Sequence, residues 1–206
     1  MIKQILFDCG GVFVDIQFRQ LMEKITGDAE KAAAFYDRLF CPESPWPTLY
    51  DSGKIDTEEC CRKLKLSYPE LDPAHIDAYM KEWPKWLPTF PEMETIIDEL
   101  HDAGYKCYLL SNFSHRFEEF RTYCPAIAHL DGEVISYTTG LVKPGVEIFN
   151  LAAKKFGIDP AETLFVDDTL PNIEGARKAG YQTYHYSTPA AFREMLLNNH
   201  ILTNFS

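Results

Sequence analysis

The sequence predicts an α/β fold, a Rossmann-like parallel sheet core with a small helical cap inserted after the first strand. Three observations predict it. Short apolar runs alternate with amphipathic stretches, the pattern of βαβ units with right-handed crossovers. Three of those runs stop at polar residues suited to chemistry. Between residues 15 and 87 the alternation breaks off and strand signals nearly vanish.

Ile2 to Phe7 is a short apolar strand ending in Asp8-Cys9-Gly10-Gly11. Tyr105 to Leu110 ends in Ser111-Asn112, and Thr163 to Val166 ends in Asp167-Asp168. Glu133 to Ser136 and Gln182 to Tyr186 are further strand candidates. Helices fall between them. Glu92 to Ala103 places Met93, Ile96, Ile97 and Leu100 at helical spacing, and Gly104 stops it. Val146 to Phe156 repeats the design and ends at Gly157; Ile173 to Ala179 ends at Gly180. In the inserted stretch, Phe18 to Ile25, Ala29 to Phe40, Thr57 to Leu66 and Pro73 to Trp83 read as helices. Pro42, Pro45 and Pro47 punctuate the middle, and Pro84, Pro88 and Pro91 mark the return. The expected division is a core of residues 1–14 and 88–206 and a cap of residues 15–87.

The chain has 206 residues, 46% of them hydrophobic, enough for one sizeable core. Its formal net charge of -11 repels nucleic-acid backbones and anionic membranes, so neither is an expected partner. A small anion can still bind where a cation sits in the site. Cys9, Cys41, Cys60, Cys61, Cys107 and Cys124 show no zinc spacing. No signal-peptide pattern and no span-length apolar run is visible, so a cytoplasmic protein with reduced thiols is expected.

In an open parallel sheet, ligands bind at the carboxyl ends of the strands. Here those ends carry Asp8, Ser111-Asn112 and Asp167-Asp168, and Lys143 precedes Pro144 at a helix start. This set suits phosphoryl transfer. An Asp can attack phosphorus and become an aspartyl-phosphate. Mg2+ prefers carboxylate and carbonyl oxygens and offsets repulsion between that carboxylate and the phosphate. Ser111 and Lys143 can donate to the phosphoryl oxygens as charge develops.

Four segments, ILFDCGGVFVD, LLSN, GLVKPGVEIF and LFVDDTLPNIEGARKAG, in this order and over nearly the whole chain, resemble the haloacid dehalogenase-like hydrolase superfamily. The resemblance implies a role for each matching position. Asp8 matches the nucleophile, and Gly10 the residue whose backbone carbonyl binds Mg2+. Ser111 matches the phosphate-binding hydroxyl, with Asn112 beside it. Lys143 matches the lysine that holds nucleophile and phosphate. Asp168 matches the main metal carboxylate, Asp167 supports it, and Asn172 matches a position that orients the acidic pair. The helical insert matches a cap that closes over the site and excludes water.

One position departs. The family's usual first motif carries a second Asp where Gly10 stands, and that Asp is its general acid and base. A branch containing sugar-phosphate phosphatases shares the DxG form. General acid catalysis contributes about 100- to 10,000-fold, so poor leaving groups are expected to turn over slowly. Asp15 is a candidate substitute, but a hinge or N-cap role is favoured. Cys9 reads as a core thiol and His115 as a surface histidine. Asp51-Ser52-Gly53-Lys54-Ile55 reads as a turn without chemistry. Phe35, Tyr36, Phe40, Trp46, Tyr50, Trp83 and Trp86 read mostly as cap packing, some of them lining a pocket.

The expected function is Mg2+-dependent hydrolysis of a phosphomonoester, with a small phosphorylated metabolite such as a sugar phosphate as substrate. Two alternatives stand beside it. One is a catalytically weakened phosphate-ligand-binding protein. The other is a metal-independent 2-haloacid dehalogenase, against which the Asp167-Asp168 pair argues, since those acids repel a carboxylate substrate.

Overall fold

The computed structural model describes residues 1–203. Five parallel strands form one sheet in the order β3-β2-β1-β4-β5. They are β1 (Gln4–Phe7), β2 (Lys106–Ser111), β3 (Gly132–Ile135), β4 (Thr163–Asp167) and β5 (Gln182–His185). The chain builds outward from β1 on one side, then returns to its other side at β4. The order therefore reverses beside β1, where open α/β sheets form their crevice. Phe7 pairs with Leu109 on one side and with Val166 on the other, which brings the three polar strand ends to one level.

Both faces of the sheet are covered, as a parallel sheet requires. Ile5, Phe7, Leu109 and Val166 share one face with Met93, Ile97 and Leu100 of α5 (Glu92–Asp102) and with Phe192 and Leu196. Leu6, Leu110 and Phe165 lie on the other face with Ile148, Phe149 and Ile173. The alternation of Ile5, Leu6 and Phe7 between the two clusters is the two-residue strand period at work.

Between β1 and β2 come α1 (Phe18–Thr26), α2 (Ala29–Leu39), α3 (Thr57–Ser67) and α4 (Pro73–Glu82). Asp28, Asp56 and Asp72 cap the last three with side-chain bonds to first-turn amides. The two strands of chain that enter and leave this segment are tied together. Asp15 N–H donates to the Pro88 carbonyl at 2.8 Å, and Phe90 N–H to the Phe13 carbonyl at 2.9 Å. Asp15 is not an N-cap: Gln17 holds that position at α1, and the Asp15 carboxylate accepts from the Gln17 side chain at 2.7 Å.

Two short helices, α6 (Phe117–Phe120) and α7 (Ser136–Thr139), follow β2 and β3. Then come α8 (Val146–Phe156), α9 (Leu170–Lys178) and α10 (Pro189–Asn198). The α9 helix starts at Leu170, three residues before the expected Ile173. Its N-cap is Thr169. The proline-punctuated stretch is not featureless either. Trp46–Tyr50 forms a π-helical turn that buries both of its end residues.

Candidate active site

Asp8, Ser111 and Asp167 stand at the carboxyl ends of the three central strands, and Lys143 reaches them from the loop before α8. Lys143 Nζ lies 2.6 Å from Asp8 Oδ1 and 2.8 Å from Asp167 Oδ2. Lys143 is only 4% exposed, Asp8 8% and Asp167 0%. A buried ammonium needs such partners to remain charged. Burial disfavours its charge, but Asp167 and Asp8 outweigh that and raise its pKa. Burial pushes the Asp8 carboxyl up to about 7 against the pull of Lys143, and Asp167 and Asp168 add repulsion. Burial and the Asp167 charge also raise Asp168.

The supporting bonds fix this geometry. Asn172 Nδ2 donates to both oxygens of Asp167, at 3.2 and 3.0 Å, and Thr169 N–H donates to Oδ1 at 2.8 Å. The Asn112 side-chain amide brackets the Lys143 backbone, donating to the carbonyl at 2.9 Å and accepting from the N–H at 2.8 Å. That pair sets where the Lys143 side chain starts.

Asp8, Asp167 and Asp168 each offer an oxygen within 4.8 Å of the others. Three carboxylates against one ammonium leave an excess of negative charge in a buried place. A hard divalent cation with oxygen ligands corrects that excess, so these residues fit Mg2+. Gly11 closes the same corner, at φ 70°, with Asp168 against its Cα.

Asp8, Gly10, Ser111, Asn112, Lys143 and Asp168 line one cavity of about 230 Å³. Asn172 lines it too, and Asp167 sits behind Lys143. The wall opposite the strand ends comes from the helical segment and includes Phe18, Phe40, Trp46, Asp51 and Trp83. Trp46 packs on Trp83 at a centroid distance of 5.2 Å.

Asp51 is the residue that the sequence reading missed. Burial pushes its carboxyl up to about 7, partly offset by a hydrogen bond from the Trp46 side chain. No periodic signal marks it. The one cue is an acidic residue directly after an aromatic-rich, proline-punctuated segment. His115 is also corrected: it is half-buried, with Nε2 3.1 Å from Thr57 Oγ1 and its ring edge-on to Tyr50. All six cysteines are free, and Cys9 is buried in the core. Among the described residues no helix is long and apolar enough to cross a membrane.

Comparison with known proteins adds an independent line. The chain is 29% identical to a D-ribitol-5-phosphate phosphatase of Bacteroides thetaiotaomicron, over 95% of this chain and 97% of that one. It is 27% identical to a sesquiterpene phosphatase of Aspergillus oryzae, over 69% and 72% of the two chains. A HAD family enzyme of B. thetaiotaomicron, solved with magnesium and inorganic phosphate, superposes with a TM-score of 0.66 at 26% identity, over 89% and 93%. A predicted HAD-like hydrolase of Porphyromonas gingivalis superposes at 0.71 with 25% identity, over 95% and 98%. The family model for haloacid dehalogenase-like hydrolases matches residues 2–180. With that match and the strand-end arrangement above, the chain belongs to the haloacid dehalogenase-like hydrolases.

Proposed function

We propose that the protein is a Mg2+-dependent phosphatase that hydrolyses a small phosphorylated metabolite through an aspartyl-phosphate on Asp8. The observation that carries this reading is the carboxylate trio of Asp8, Asp167 and Asp168, the first two of them paired with Lys143 Nζ, beside Ser111. The phosphatase names of the relatives and the magnesium–phosphate complex of a structural neighbour support it.

Asp8 is the nucleophile. Lys143 holds Oδ1, so we assign Oδ2 to attack. The Asp8 Oδ2–phosphorus bond forms as the bond from phosphorus to the leaving oxygen breaks. That oxygen departs with the bonding electron pair as an alkoxide and takes its proton from solvent water. Water then attacks the phosphorus of the acyl phosphate, releases inorganic phosphate and regenerates the carboxylate. Ser111 and Lys143 donate to the phosphoryl oxygens, where negative charge must be held. Asn112 and Asn172 keep Lys143 and Asp167 in place. Mg2+, held by Asp8, Asp168, Asp167 and the Gly10 carbonyl, would supply positive charge that offsets repulsion between carboxylate and phosphate. Residues 15–87 act as a cap that excludes water.

Gly10 offers no acid for the leaving group. Ile16 takes up part of that space, since a Cβ on Gly10 would lie 2.9 Å from its Cδ1. The small cavity suits a small substrate: 230 Å³ lies below the roughly 300–1,000 Å³ typical of sites for drug-sized ligands.

The test is release of phosphate from a panel of phosphomonoesters with Mg2+. Asp8→Asn abolishes it, and so does a chelator. Wild-type turnover by Asp8→Asn would overturn the nucleophile assignment. Turnover of 2-haloacids that survives chelation would replace the phosphatase reading with a dehalogenase.

A further inference from the structure

The cavity beside Asp8 has two unlike ends. Its polar side chains, Asp51 excepted, all come from the strand ends, the Lys143 loop and the start of α9. The opposite end, where the alcohol part of a phosphomonoester must sit, is a wall of rings: Phe18, Phe40, Trp46, Trp83 and Phe113. These rings form one continuous cluster. Phe18 stacks on Phe40 with centroids 5.2 Å apart and planes 5° apart. Phe40 stands edge-on to Trp46 at 5.5 Å, and Trp46 edge-on to Trp83 at 5.2 Å. Trp83 lies against Phe113 at 5.2 Å. Phe113 follows Ser111 by two residues, so the cluster runs from the helical segment to the phosphate end of the cavity. Phe18 and Phe40 are half-buried, which leaves ring surface for an occupant.

This wall has little to offer a hydroxyl. The Trp83 indole nitrogen is buried, out of reach of the cavity, and the Trp46 side chain donates to Asp51. Asp51 is left as the one polar side chain of the wall among the described residues. A single carboxyl cannot satisfy the several hydroxyls of a polyol or sugar. Each hydroxyl enclosed without a partner loses its bonds to water. A planar apolar group has no such loss, and it gains stacked and edge-to-face contacts with the rings.

Size and chemistry narrow the occupant further. An apolar cavity of about 150 Å³ holds a benzene molecule. The cavity here, about 230 Å³, accommodates one ring with its phosphoryl group but not a long chain. Gly10 supplies no acid, so the leaving oxygen must carry its own negative charge as it departs. An aliphatic alkoxide does so poorly. A phenolate does so readily, since the phenol of tyrosine ionises at a pKa of about 10. We propose that the substrate is a monocyclic aryl phosphomonoester whose ring is enclosed by Phe18, Phe40, Trp46, Trp83 and Phe113. This rests on the phosphatase reading for the chemistry at phosphorus, but not for binding of the ring. The Asp8 Oδ2–phosphorus bond forms while the bond from phosphorus to the aryl oxygen breaks. That oxygen departs with the bonding pair as a phenolate, not an alkoxide, and takes its proton from solvent water.

Calorimetric titration with Mg2+ in an Asp8→Asn background, which removes turnover, tests the wall. Phenyl phosphate binds at least about tenfold more tightly than D-ribitol 5-phosphate or inorganic phosphate. Adding Phe40→Ala, at a half-buried position, weakens phenyl phosphate about three- to tenfold. Phe40→Leu, which keeps apolar bulk, recovers part of that loss. Inorganic phosphate stays within about twofold in both, which also reports a folded phosphate end. In the wild type, phenyl phosphate turns over at least about 100-fold faster than cyclohexyl phosphate, which also presents a six-membered ring but releases an alkoxide. Binding of D-ribitol 5-phosphate as tight as that of phenyl phosphate overturns the proposal. So does a Phe40→Ala variant that weakens phenyl phosphate and inorganic phosphate equally or weakens neither, and so does equal turnover of phenyl and cyclohexyl phosphate. A protein that binds phenyl phosphate with this selectivity yet releases no phosphate from it keeps the ring site and sinks the phosphatase reading alone.

Discussion

Gly11 and Asp168 meet with no space for a side chain between them: a Cβ on Gly11 would lie 2.2 Å from Asp168 Oδ2. The backbone at Gly11 also has φ 70°, a conformation that costs other residues strain. Gly11→Ala therefore displaces Asp168 from the carboxylate trio. The neighbouring position behaves differently. A Cβ on Gly10 meets only the far end of Ile16, a residue 42% exposed and able to turn aside. Gly11→Ala is expected to weaken Mg2+ binding more than about tenfold, while Gly10→Ala changes stability by about 1 kcal/mol or less. Isothermal titration with Mg2+ and thermal melts of both variants check the contrast. Equal behaviour would show that Gly11 does not set Asp168.

Lys143 is the positive centre of a buried cluster, so its removal acts on stability as well as activity. Lys143→Met leaves Asp8 and Asp167 facing each other without their shared ammonium. Breaking a buried ion pair by deleting one partner costs about 3–5 kcal/mol. For a chain of this length, that lowers Tm by roughly 6–20 °C, at about 2–4 °C per kcal/mol. Phosphate release is expected to fall at least about 100-fold, since the donor to the phosphoryl oxygens is lost. A variant that melts like the wild type would show that the cluster is relieved in some other way.

Metal binding to the folded trio carries a stability signature that needs no substrate. At Mg2+ one hundred times above its Kd, mass action adds about 2.7 kcal/mol, or roughly 5–11 °C in Tm. Asp168→Asn is expected to erase most of that rise while folding normally in its absence. Thermal melts across a Mg2+ series, with and without the substitution, read this directly. An unchanged Mg2+ response in Asp168→Asn would remove Asp168 from the ligand set.

The sheet was legible because its strands are short apolar runs bounded by polar ends; Thr163–Asp167 is buried at every position. The strand-end residues were legible for the same reason, since a parallel sheet gathers its carboxyl ends. What the sequence concealed depends on long-range contacts. Asn112 reads only as the neighbour of Ser111, and only folding brings it to the Lys143 backbone 31 residues away. Asp51 reads as a turn residue, because the contact that fixes it comes from Ser136, 85 residues on. His115 reads as exposed until α3 and the π-helical turn close around it. Periodicity reports which face of an element is buried, but not which loop meets which wall of a cavity.

Asp51 also predicts how stability varies with pH. Its carboxyl moves from an ordinary 3.8 in the unfolded chain to about 7 in the folded one, chiefly through burial. The groups it faces, Tyr79 and Cys60, are themselves held protonated by burial and stay neutral across this range. Below pH 3.8 both states carry the proton, and Asp51 costs nothing. As pH rises from about 4 to 7, the unfolded chain ionises first and stability is lost; above about 7 the loss is complete. A shift of three units corresponds nominally to about 4 kcal/mol. Asp51 is only partly buried, so solvent screening reduces this to on the order of 1–2 kcal/mol. Asp51→Asn cannot ionise and escapes the loss. Its Tm advantage over the wild type should therefore grow between pH 4 and pH 7 and stay level above that, reaching roughly 2–8 °C. Comparing variant with wild type at each pH cancels the titration of Asp8, which both share. A difference that is flat from pH 4 to 8 would mean that the Asp51 carboxyl titrates like a solvated one, and that the wall facing Asp8 is wet rather than closed.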